Sequence, residues 1–125
     1  MIALVGLLAA CAPVTTLQIT ASAKPILANS KIGLTFYPNS KLLKFEEKKD
    51  GSSQADFATG DDLEKVYAFF HKQLSEKGWL RWTLKRSGFG KTTKIEATYQ
   101  RKGELFKFRL DADSSSDRYK MEIEF

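Results

Sequence analysis

Between residues 94 and 125 apolar and polar side chains alternate almost one for one. Ile95, Ala97 and Tyr99 alternate with Lys94, Glu96, Thr98 and Gln100. Phe106, Phe108 and Leu110 alternate with Leu105, Lys107 and Arg109. Tyr119, Met121, Ile123 and Phe125 alternate with Arg118, Lys120, Glu122 and Glu124. Successive side chains of a strand point to opposite faces, so this period predicts antiparallel strands with one dry face and one wet face. Arg101-Lys102-Gly103 supplies a tight turn, and residues 111–117 a polar loop. Leu80, Trp82 and Leu84, alternating with Arg81, Thr83 and Lys85, predict a strand ahead of these three, with Ser87-Gly88-Phe89-Gly90 as its turn.

A sheet with one dry face needs a cover, and the segment before it offers one. Leu63, Val66, Tyr67, Phe70 and Leu74 fall on a single stripe at helical spacing. Thr59 is placed to cap the helix, Asp61 and Asp62 suit its positive N-terminal end, and Gly78 fits the position after its C-cap. Trp79 follows and is expected to fold back onto the core. Upstream, residues 32–37 meet the turn Pro38-Asn39-Ser40. Leu43 and Phe45 alternate with Lys44 and Glu46, Lys49-Asp50-Gly51 turns the chain, and residues 54–58 return. The expected fold is α+β: one helix packed on an antiparallel sheet, in the order ββα followed by a four-stranded meander, spanning residues 32–125.

The chain has 125 residues, enough for one domain, and its 42% hydrophobic and 28% charged content is ordinary for a globular protein. Its formal net charge of +5 favours acidic partners. It has one cysteine, Cys11, so no disulfide can form within the chain.

Residues 1–10 are uncharged and mostly apolar, too short to span a bilayer and the length of the apolar region of a signal peptide. They lead into Leu8-Ala9-Ala10-Cys11 without a basic segment before them. This tetrapeptide resembles the lipobox of bacterial lipoproteins: an aliphatic residue, two small ones, then Cys. The resemblance implies cleavage before Cys11 and lipid attached to its thiol, the chemistry a thiolate nucleophile permits. It also implies a lipid-anchored address in the cell envelope. Ala12, rather than Asp, after the Cys points by the same resemblance to the outer membrane, facing the periplasm. Residues 11–31, rich in small, hydroxylated and proline residues, read as a flexible tether, within which the weak alternation of Thr16–Thr20 offers a short edge strand.

The folded part looks like the cystatin-like or helix-grip modules that recur in small envelope lipoproteins. Tyr37-Pro38 before the helix and Gly78-Trp79 after it also resemble motifs of small uncharacterised envelope lipoproteins.

No catalytic set emerges, and no cofactor, metal or nucleic acid is expected. The wet face of the sheet is the candidate surface for an anionic partner, carried by Arg81, Lys85, Lys94, Lys107, Arg109 and Lys120. Its aromatics alternate to the other face, which argues against base stacking. Asp111, Asp113, Ser115 and Asp117, with Glu122, imitate the oxygen spacing of a calcium loop, but Ser116 stands where the turn wants Gly. His71, the single histidine, has no acidic or thiol partner in view. Gly90-Lys91-Thr92 suggests a phosphate loop but lacks its first glycine and following helix. The leading reading is a lipid-anchored, non-enzymatic interaction domain of the envelope, meeting an envelope protein, anionic lipid or glycan. The alternative is a small-ligand module with a cavity lined by Tyr67, Phe70, Trp82, Phe106 and Phe108.

Overall fold

A computed structural model describes residues 17–19, 27–113 and 117–125. Among them are β1 (Leu17–Gln18), β2 (Leu27–Asn29), β3 (Leu34–Thr35), β4 (Lys41–Glu47), β5 (Ser53–Ala58), helix α1 (Leu63–Glu76), β6 (Leu80–Ser87), β7 (Lys94–Arg101), β8 (Glu104–Ala112) and β9 (Arg118–Glu124). Seven strands form one antiparallel sheet in the order β1-β4-β5-β9-β8-β7-β6, and β2 and β3 pair separately. From β5, in the middle of the sheet, α1 carries the chain to the far edge. There β6 starts a run back through β7 and β8 until β9 closes against β5.

The expected α+β class is corrected by this arrangement. The fold is mainly β: one 14-residue helix lies against a seven-stranded sheet, with a further strand pair beside it. The helix stripe is a long and clean pattern, which gives it undue weight in a sequence. Strands of two or three residues, such as β2 and β3, are too short to show a period. The edge strand offered by Thr16–Thr20 is present as β1, and the fold starts before residue 32. Within the stretch read as a tether, Leu17 pairs with Leu42, and Ile19, Ala28 and Asn29 are buried. Asn29 donates to the carbonyl of Gly51 at 2.7 Å and to Ser53 Oγ at 2.9 Å, and accepts from the amide of Ile32 at 3.0 Å. A buried amide satisfied on both ends pins β2 to the β4–β5 turn.

Asp62, not Thr59, caps α1: its side chain accepts from the amide of Lys65 at 2.9 Å. At the other end the amide of Trp79 bonds the carbonyl of Leu74 and that of Gly78 the carbonyl of Ser75. This closure needs positive φ, and Gly78 stands at +89°. It drives Trp79 inward, where only 2% of its surface is exposed and its ring meets Phe106 edge-on at 4.8 Å.

The helix stripe lies on the dry face of the sheet. Phe70 touches Phe57, Phe108 and Tyr37, and Tyr67 touches Phe108, with ring centroids 5.8–6.5 Å apart. Gln73 extends the covering: its side-chain oxygen accepts from the amide of Thr35 at 2.7 Å, so α1 holds β3 through a side chain.

Candidate partner-binding surface

The wet face is a grid of alternating charge. Strand register sets Lys85, Glu96, Arg109 and Glu122 in one row across β6, β7, β8 and β9. A second row runs Lys94, Asp111, Lys120, Asp56 and Lys44. A third sets Lys107 against Glu124. Opposite charges on directly facing residues of an antiparallel pair attract one another, so each row is self-complementary. Arg109 donates to Glu96 at 3.0 Å and to Glu122 at 2.7 Å. Its guanidinium bond holds the Glu96 carboxyl below the usual carboxylate range, and the two carboxylates, Glu96 foremost, raise Arg109 in return.

Of the six cations read as one anionic-partner face, Lys85, Lys94, Lys107, Arg109 and Lys120 share this side of the sheet, interleaved with acids. Arg81 does not. A bulge between Arg81 and Thr83 shifts the alternation of β6, and Arg81 turns to the helix side, donating to Tyr67 Oη at 3.2 Å. The same bulge corrects the inward placing of Leu80 and Trp82, which are 66% and 65% exposed. One extra residue in a strand is invisible to a period count. Asp56 Oδ1 and Asp111 Oδ1, in register on either side of Lys120, are buried without a hydrogen-bond partner among the described residues.

Beneath the helix a polar cluster escaped the sequence reading. Tyr67 Oη and Tyr99 Oη lie 2.6 Å apart, and Tyr99 Oη is 3.0 Å from His71 Nδ1. Arg81 can only donate, so one consistent direction runs from Arg81 to Tyr67, from Tyr67 to Tyr99 and from Tyr99 to His71 Nδ1. That leaves the His71 proton on Nε2. Burial depresses the His71 pKa, and the nearby Arg81 charge adds to this. Burial chiefly, then the bond with Tyr67, pushes the Tyr99 phenol up. The clue in the sequence is a Tyr in a buried register position, since a buried hydroxyl needs a partner.

The calcium-loop residues do not gather. Asp111 faces Lys120 within the sheet, Glu122 accepts from Arg109, and Ser115 and Ser116 fall outside the described residues. Among the described residues no group of three or more His, Cys, Asp or Glu is arranged to hold a metal. Cys11 and the whole lipobox also lie outside the described residues. No described helix is long and apolar enough to cross a membrane.

Of the proposed cavity residues, Tyr67 and Phe70 are buried against Phe108, Phe106 is buried against Trp79 and Tyr99, and Trp82 is outside them. The recesses described open at the surface, one over β4, β5, β8 and β9 including Glu46, Asp50, Arg109 and Glu122. β6 ends the sheet, and every residue of it but the half-buried Leu84 is exposed. The turn after it carries Phe89, 99% exposed. No family model, no curated protein and no solved structure matches this chain.

Proposed function

We propose that this chain is a lipid-anchored, non-enzymatic interaction domain of the bacterial cell envelope, held to the membrane through Cys11 and meeting another envelope component with its sheet. The lipobox-like Leu8-Ala9-Ala10-Cys11 supports the address. The observation that carries the interaction role is the filled contact between α1 and the sheet. Tyr67, Phe70, Phe106 and Phe108 occupy the space a ligand would need, which removes the main argument for a small-molecule module. The interleaved acids make the wet face a poor general collector of anions. Recognition on it is by pattern of charge instead, and the three most exposed large apolar residues, Leu80, Trp82 and Phe89, lie on β6 or in the turn after it.

Intact mass spectrometry of the protein from its native membrane fraction tests the address. The expected species starts at Cys11 and carries added acyl mass, and Cys11→Ser moves the protein to the soluble fraction. A full-length, unlipidated chain in that fraction overturns the anchor.

A further inference from the structure

The eight residues of β6 form an edge about 26 Å long at 3.3 Å per residue, and only β7 pairs with it among the described residues. Its outward backbone groups are a template for another strand. The opposite edge, β1, is only two residues long. Leu80 and Trp82 stand exposed at the start of β6, and Phe89 stands exposed just past its end. From residue 80 to residue 94 the chain carries Arg81, Lys85, Arg86, Lys91 and Lys94 and no acidic residue. Arg86 is engaged by Glu64 through bonds of 2.7 and 2.9 Å, while Lys85 and Lys91 are in no ion pair among the described residues.

Three features thus coincide on one edge: unpaired backbone, exposed apolar side chains, and a run of cations that contains no acid and whose Lys85 and Lys91 are in no ion pair among the described residues. We propose that β6 accepts an extended acidic segment of a partner protein as an eighth strand, an inference that rests on the interaction reading above. Main-chain pairing would supply affinity, carboxylates facing Lys85 and reaching Lys91 in the turn beyond the strand the selection, and Leu80 with Trp82 a seat for an apolar residue. A second copy of this chain is the poorer occupant, because β6 against β6 brings like charges together. A bilayer surface answers the charge and Phe89 but leaves the strand template unused.

The test uses the full chain and three fluorescent ten-residue peptides. One alternates Glu with Val and Thr, one has that composition with two central prolines, and one has Lys in place of Glu. By anisotropy the acidic strand peptide binds. The proline peptide binds at least tenfold more weakly, and the Lys peptide does not bind. Replacing Lys85 and Lys91 together with Gln weakens the acidic peptide about tenfold. Its binding shifts the tryptophan emission in the parent chain and not in Trp82→Phe. Equal binding of the acidic and proline peptides reduces the effect to bulk charge and overturns the strand. No binding by the acidic peptide means that the cations and the bulge guard the edge against pairing, which also overturns it. So does a dimer whose β6 amides are protected from exchange, or binding to phosphatidylglycerol vesicles without binding to the peptide. Mass spectrometry at Cys11 reads the envelope address separately, so failure of the edge and failure of the address are distinguishable.

Discussion

Tyr67 on α1 and Tyr99 on β7 meet hydroxyl to hydroxyl at 2.6 Å between helix and sheet, with Arg81 bonded to the one and His71 to the other. Tyr99 Oη is the link between Tyr67 and His71, and a buried polar group that loses its partner costs its desolvation. Tyr99→Phe removes the shared oxygen from both Tyr67 and His71. The expected loss is about 1–2 kcal/mol in urea unfolding. An unchanged midpoint would show that water already serves these groups.

His71 gives this cluster a pH dependence. Burial depresses its pKa in the folded chain, so the fold favours the neutral ring. That contribution is present above the ordinary histidine value near 6.5 and is lost as pH falls through the lower folded value. The urea midpoint should therefore drop from pH 7.5 to pH 5.5 in the parent and drop less in His71→Gln. Parallel curves for the two proteins would rule the histidine out as the cause.

Arg109 joins three strands by holding Glu96 of β7 and Glu122 of β9 from β8. Arg109→Ala leaves two carboxylates on either side of β8 without the cation between them. These side chains are about 30% exposed, which limits the loss to about 1 kcal/mol, read as a lower melting temperature. Adding Glu122→Gln to that variant should restore part of the loss, because it removes one of the repelling charges. If the double variant is no more stable than the single one, the repulsion is not there.

The bulge in β6 makes a prediction opposite to that of the alternating pattern. Were Leu80 and Trp82 core residues, Leu80→Thr and Trp82→Thr would each cost several kcal/mol. Exposed as they are, each should change stability by no more than about 0.5 kcal/mol. Phe70→Ala, at a fully buried position between Phe57 and Phe108, should cost about 3–5 kcal/mol. Chemical denaturation of the three variants side by side decides the register.

Gly78 closes α1 at φ +89°, a region where a Cβ is strained. Gly78→Ala should lower stability by about 1 kcal/mol or more, whereas Gly60→Ala, with nothing within 4 Å of the added carbon, should be close to neutral. Equal thermal shifts in the two variants would remove the helix stop from the account.

What the residues determined by themselves is the local part of this protein. The period of 2 in β7, β8 and β9 and the stripe of α1 mark which side chains face inward, because burial repeats with the geometry of each element. Gly78 announces the helix end for the same reason: one residue type alone fits that conformation at little cost. The tertiary structure decided the rest. It set the mainly-β class, since β1 exists only through a partner distant in sequence and β2 and β3, three and two residues long, are too short to show a period. It turned Arg81 to the helix and Leu80 and Trp82 to solvent through one extra residue in β6. It also placed an acid beside most of the wet-face cations, so that a surface counted as basic along the chain becomes a grid of alternating sign. Register joins residues that a linear reading keeps apart, and the charge each one meets is fixed only when the strands align.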